Sequence, residues 1–255
     1  MSSLADLVGD CPDRVDESNS KGISDFEWDN LIILDACRKD IYEQVIGKSS
    51  SRITRGSHSS DFVKENFSEG NYEDTLVITA NPHYSEKIFR DETGKKPEDV
   101  FHAVFHTYRN RWNDGQKTVL PEDVKKDVET ASKLFPEKRL IIHFMQPHIP
   151  FINSSEFFDG FEHLVNGGKG GSPGSKYFWK VARDGDFSKE EIFEPYSENL
   201  ELVMKTVEEL ENVLSGRTVI TSDHGNLVGE HGMYGHPRGK DYQPLREVPL
   251  EIKNL

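Results

Sequence analysis

Only 2 of the 255 residues are cysteine, too few for a disulfide framework. Cys11 lies in a polar stretch and Cys37 follows an apolar run, so the expectation is two free thiols in a reducing, cytoplasmic setting. Positive charge is also scarce: 31 Lys and Arg stand against 45 Asp and Glu, a formal net charge of -14. That deficit excludes an electrostatic grip on nucleic acid and a polybasic membrane patch, both of which need surplus cations. No run approaches the roughly 18 apolar residues of a membrane span, and residues 1–20 lack the basic and apolar segments of a secretion signal. There is no internal repeat, no Gly-x-Gly-x-x-Gly and no Gly-Lys-Ser/Thr phosphate loop, which leaves nucleotide binding through those motifs unsupported. Hydrophobic residues are a low 35%, yet 15 Phe, 8 Tyr and 3 Trp supply enough aromatic surface for a packed core.

What is present has the pattern of an α/β protein. Four short apolar runs, Leu31–Leu34, Leu76–Ile78, Leu140–Ile142 and Thr218–Ile220, are continuous rather than alternating. That is the signature of strands covered on both faces. Between them, Pro121 to Phe135 opens on a Pro-Glu-Asp first turn and sets Val124, Val128, Ala131 and Leu134 on one face. Leu200, Val203, Val207, Leu210 and Leu214 recur at helical spacing from Tyr196 onward, ended by Gly216. Alternation of this kind predicts a doubly wound, mostly parallel sheet with helices on both faces, a three-layer sandwich. Residues 1–25 read as a polar N-terminal extension and 26–255 as a single domain. Residues 153–190, with the Gly-rich stretch 167–174, read as a flexible insertion.

In such sheets the site lies at the carboxyl ends of the strands. The first apolar run ends in Asp35 and the last leads into Asp223-His224, so two carboxylates and an imidazole converge on strand ends. Buried carboxylates need a cation, and this set makes a partial N/O shell for one divalent ion. Histidine placement is uneven as well: His224, His231 and His236 follow one strand, His143 and His148 another. A nucleophile would come from Thr54-Arg55-Gly56-Ser57-His58-Ser59-Ser60-Asp61, a Gly turn leading into a helix start, where Ser57 or Ser59 is either that nucleophile or an N-cap.

These residues carry a resemblance. Thr221-Ser222-Asp223-His224-Gly225-Asn226-Leu227-Val228-Gly229-Glu230-His231-Gly232, then Tyr234-Gly235-His236 and Arg246-Glu247-Val248-Pro249-Leu250, resembles the C-terminal signature of sulfatases, in the alkaline phosphatase superfamily. His143-Phe144-Met145-Gln146-Pro147-His148-Ile149-Pro150-Phe151 resembles that branch's Pro-His-x-Pro-Phe segment, and Asp35-Ala36-Cys37-Arg38 its first metal-binding strand. The pieces keep the family's order over most of the chain, and short archaeal sulfatase-like proteins are the nearest likeness.

The resemblance implies a metal-dependent hydrolase or transferase acting on a phosphate or sulfate ester, with a phosphoester favoured. Asp35, Asp223 and His224 would hold one Mn, Mg, Ca or Zn ion. His148 and His236 would act in catalysis and, with Arg38 and His143, bind substrate. Ser57 aligns with the nucleophile by likeness of Ser57–Phe62 to a run in lipoteichoic acid synthases. The substrate would be a small-molecule or glycan-linked ester, the oligomeric state being left open. Three departures qualify this. No Cys-x-Pro-x-Arg occurs, so a formylglycine sulfatase is excluded; Ala36 stands where many sulfatases have a second Asp; and no second Asp/His/His set for a two-zinc site is evident. The alternative expectation is an inactive sulfatase-like module that binds an anionic glycan or polymer. A phosphomutase carries less weight because the second metal set is missing.

Overall fold

The computed structural model describes residues 13–153, 174–185 and 187–255. Cys11, and the Gly-rich part of the expected insertion up to Pro173, lie outside the described residues. In chain order the first half runs β1 (Ser20–Lys21), β2 (Asn30–Asp35), α1 (Lys39–Val45), β3 (Ser50–Thr54), α2 (Ser59–Phe67), β4 (Tyr72–Thr79), α3 (Glu86–Thr93), β5 (Phe101–His106) and α4 (Thr107–Asn110). There follow β6 (Trp112–Asn113), β7 (Thr118–Val119), α5 (Pro121–Leu134), β8 (Arg139–Pro147), α6 (Gly174–Asp184), α7 (Lys189–Leu210), β9 (Arg217–Ser222), β10 (Leu227–Val228), β11 (Tyr234–Gly235), α8 (Gln243–Arg246) and β12 (Glu247–Asn254).

Eight strands form one sheet in the order β1-β3-β12-β9-β2-β8-β4-β5. Only β12 runs against its neighbours; β2 lies between β8 and β9, parallel to both. The continuous apolar runs are the central strands, as their pattern requires. Alternate side chains leave opposite faces: Leu31 and Ile33 enter one core, Ile32 and Leu34 the other. The first core is closed by Phe62, Val63 and Phe67 of α2 and Phe89 of α3. The second is closed by Val124, Val128 and Ala131 of α5 and by Tyr196, Leu200, Val203 and Val207 of α7. The result is the expected three-layer α/β architecture.

Two segments differ from the sequence reading in detail. Helix α7 starts at Lys189 rather than Tyr196, because Ser188 and Glu191 form a capping box that outweighs the Pro195 inside the helix. Residues 13–25, read as extension, lie along the domain: β1 pairs with β3, Val15 N donates to the Asp241 carbonyl (2.7 Å), and Glu17 pairs with the buried Arg246. Cys37 is a buried free thiol.

Candidate functional site

The carboxyl ends of β2, β9, β8 and β4 meet at one end of the sheet, on both sides of the central strand. β2 delivers Asp35, and the turn after β9 delivers Asp223 and His224. All three are buried and present donor atoms within 4.8 Å of one another. The turn after β9 needs its glycine: a Cβ on Gly225 would stand 2.0 Å from the Pro244 carbonyl oxygen. After β2, Ala36 is held at φ 57, an uncommon conformation for a side-chain-bearing residue. The turn is fixed by the Ala36 N–H on Asp223 Oδ1 (3.0 Å) and by the Tyr196 hydroxyl on the Ala36 carbonyl.

Helix α2 brings in the hydroxyl. The chain leaves β3, turns at Gly56 (φ 121), where a Cβ would collide with the Asp61 Cβ at 2.5 Å, and starts α2 at Ser59. Ser59 Oγ donates to Asp223 Oδ2 at 2.8 Å and lies 3.3 Å from His224 Nε2. Ser57 is not brought to this cluster, a correction to the sequence alignment of the nucleophile. Its hydroxyl donates to the Pro237 carbonyl (2.8 Å) and accepts from Lys240 N (3.1 Å), so it pins the loop after His236. The two-residue offset has a simple cause: Ser57 still belongs to the turn, whereas the first helical residue faces the strand ends.

The donor set fits a small divalent ion. Asp35 Oδ1 lies 3.7 Å and Asp223 Oδ2 3.5 Å from His224 Nε2, and Ser59 Oγ completes a fourfold group. A tetrahedral ion about 2.0–2.2 Å from each donor separates the donors by about 3.3–3.6 Å. His224 Nδ1 donates to the Gly225 carbonyl at 2.8 Å, which fixes the tautomer and leaves the Nε2 lone pair for a metal. Asp35 Oδ2 accepts from Asn81 Nδ2 (2.8 Å), while its buried Oδ1 accepts no hydrogen bond. An orphaned carboxylate oxygen in a protein interior is costly, and a cation relieves it. The two carboxyls titrate apart: burial and the Asp223 charge push Asp35 well up, whereas Asp223, despite burial, is drawn down to about 2 by His224 and His143, the Ala36 N–H and Ser59.

Imidazoles wall this group. His148 follows β8, with Nδ1 on the Ile149 carbonyl (2.6 Å) and Nε2 2.8 Å from His236 Nε2. The His236 ring lies 4.5 Å from that of His224, tilted by 35°. Burial lowers His148 to about 3 and His236 well below its usual value, so both are neutral at pH 7. Asn199 of α7 sets the His148 loop by donating to the carbonyls of Pro147, His148 and Pro150.

Two residues assigned by sequence to substrate binding lie elsewhere. His143 is wholly buried behind Asp223, its Nε2 3.6 Å from Oδ2 and its ring against Phe62 and Tyr84. Arg38 is buried and engaged by Asp40, Glu230 and the Asn226 carbonyl, so its charge is spent on joining the loops after β2 and β9. Sequence reasoning missed Asn81, His83 and His58. Asn81 Oδ1 accepts from His83 N and Nδ1 (2.9 and 2.7 Å), and His58 caps α2. Their one signal was position just after a strand or before a helix.

No protein-family model matches the sequence, and no curated protein matches it. Solved structures do match in shape. Lipooligosaccharide phosphoethanolamine transferase A of Neisseria meningitidis, an integral membrane protein, superposes with a TM-score of 0.54 at 11% identity over 95% of this chain and 49% of its own. The C-terminal periplasmic domain of EcEptC from Escherichia coli, in complex with Zn, gives 0.50 at 12% identity over 97% of this chain and 77% of that one. The fold is shared with these phosphoethanolamine transferase structures. BT4656, solved with its substrate D-glucosamine-2-N,6-O-disulfate, gives 0.51 at 11% over 88% of this chain and 70% of its own. This chain thus spans about half of the intact transferase (49%). Among the described residues no helix is long and apolar enough to cross a membrane.

Proposed function

We propose that the protein is a metal-dependent phosphoester hydrolase or phosphotransferase that uses Ser59 as nucleophile. The observation that carries this is the convergence of the Ser59 hydroxyl, an orphaned Asp35 oxygen, Asp223 Oδ2 and a tautomer-fixed His224 Nε2 at one sheet end. Asp35, Asp223 and His224 would hold the ion, with Ser59 Oγ as a fourth donor. A divalent cation there supplies Lewis acidity, lowering the serine hydroxyl's proton affinity and neutralising charge on the transferred group. Ser59 Oγ gives its proton to the adjacent Asp223 Oδ2 and forms a bond to phosphorus as the bond to the leaving oxygen breaks, the leaving oxygen taking a proton from solvent. Water or an acceptor hydroxyl then breaks the phosphoserine, losing its proton to solvent, while Asp223 Oδ2 returns its proton to Ser59. His148 donates Nδ1–H to the Ile149 carbonyl, so its Nε2 accepts from His236 Nε2–H, and the two neutral rings wall the pocket with their N–H groups already engaged.

Charge counting favours a singly charged substrate. With the Ser59 proton held on Asp223, Asp35 and the ionised Ser59 contribute two negative charges against two on the ion. Among the described residues the side chains lining the group are neutral imidazoles and Asn81 rather than Lys or Arg. A phosphate diester or a sulfate monoester carries one charge and a phosphate monoester two, so the diester suits both the charge and a serine nucleophile. The test is a panel of aryl phosphodiester, phosphomonoester and sulfate esters with Mn, Mg, Ca or Zn supplied. Diester turnover should exceed monoester turnover, and Ser59→Ala should cut it about a thousandfold or more, while Ser57→Ala leaves most of it. Unchanged turnover in Ser59→Ala overturns the mechanism; tight anion binding without turnover of any ester supports the inactive-module reading instead.

A further inference from the structure

His58 is an unusual helix cap. Asn, Asp, Ser and Thr cap helices with fewer atoms, yet here the Ser60 N–H donates to His58 Nδ1 at 3.0 Å. That contact has a consequence for the far edge of the ring. A nitrogen that accepts a hydrogen bond carries no proton, so the neutral ring bears its proton on Nε2. Among the described residues nothing is hydrogen-bonded to Nε2, the ring's other nitrogen. Centroid to centroid, the His58 ring lies 4.8 Å from His236, 5.5 Å from His83 and 6.0 Å from His224, rings that wall the site, the last nearly parallel at 19°. The next residue in the chain is Ser59.

We propose that His58 is a further catalytic residue, whose Nε2–H donates to a non-bridging oxygen of the anionic group being transferred to Ser59. This rests on the Ser59 mechanism above. The cap fixes both the tautomer and the ring, so the donor needs no reorganisation when charge develops on that oxygen. His83 is the complement. Its Nδ1 lies on Asn81 Oδ1, which leaves its Nε2 as an acceptor and His58 the donor of the pair.

Capping and catalysis separate cleanly by substitution, because Ser caps a helix as well as any residue but cannot reach the pocket. His58→Ser should keep the wild-type melting temperature, lower kcat on an aryl phosphodiester about a hundredfold to a thousandfold with little change in KM, and weaken binding of inorganic tungstate at least tenfold by calorimetry. His58→Asn, a second cap, should behave alike and replaces His58→Ser if that variant fails to fold. Wild-type kcat and tungstate affinity in either folded cap variant reduce His58 to a cap and overturn the proposal. Ser59→Ala, assayed alongside, separates the two ideas: full activity there refutes the serine mechanism, whereas loss there with retention in His58→Ser refutes only this role for His58.

Discussion

At the scale of single residues, one oxygen of each carboxylate is held from outside the cluster and the other is turned into it: Asp35 Oδ1 without a partner, Asp223 Oδ2 toward Ser59. Asn81 holds Asp35 Oδ2, and backbone N–H groups of Ala36 and His224 hold Asp223 Oδ1. The other two oxygens, with His224 Nε2, are the donors that a cation would take under the proposed function. Asn81→Ala frees Asp35 to rotate, and outer-sphere losses of this kind cost about 10- to 100-fold in metal affinity. Calorimetric titration with Mn or Zn should show that drop while the thermal melt of the metal-free protein moves little. An unchanged dissociation constant would remove Asn81 from the account.

At the scale of elements, two devices hold loops at the required spacing. The first is the buried Arg38–Glu230 pair (2.7 Å, side chains 1% and 2% exposed), which ties the loop after β2 to the loop after β9. Arg38→Met strands the Glu230 carboxylate in the interior, and breaking one partner of such a pair costs about 3–5 kcal/mol. Denaturant unfolding should register that loss, and the double variant Arg38→Met with Glu230→Leu should recover part of it; equal stability of Arg38→Met and wild type would contradict the clamp. The second is the Gly56 turn into α2, where φ is 121 and a Cβ would meet Asp61 at 2.5 Å. Gly56→Ala should cost about 2–3 kcal/mol and displace Ser59, so that activity falls further than stability alone explains.

At the scale of the whole molecule, buried neutral histidines couple stability to pH. His143 is held at about 4 and His148 at about 3, mainly by burial, below the usual 6.5. The unfolded chain therefore takes up protons first as pH falls, so the stabilisation is complete above about 6.5 and is withdrawn between there and about 3. Melts in chelator should fall steadily across that window, and a flat profile would show that these rings are accessible when folded. A divalent ion adds stability by mass action: at a thousandfold excess over its dissociation constant the gain is about 4 kcal/mol, a rise of about 10 °C for a chain of this size. The absence of any shift with Mn, Mg, Ca or Zn would remove the metal from the proposal. Within the formal net charge of -14, Asp35 and Asp223 lie in the interior rather than in the acidic coat.

The sequence by itself determined the central sheet and the two carboxylates that close its strands, Asp35 and Asp223. Continuous apolar runs can only be doubly covered strands, and charges that close such runs must meet something. It did not reveal β3, β5 or β12, because these strands lie at or near the sheet edges and are partly exposed; β3 and β12 carry no apolar run, and the short Ala103-Val104-Phe105 run of β5 is flanked by His102 and His106. Histidine clustering marked His148 and His236, but not which rings face the site and which pack behind it; His143 differs from His148 by only five positions and lies on the buried side. The choice between Ser57 and Ser59 is likewise tertiary. Both precede the same helix, and only the turn at Gly56 decides that the second hydroxyl reaches Asp223 while the first closes a loop. Local pattern sets which elements form; the distance between strand ends far apart in sequence is set by packing alone.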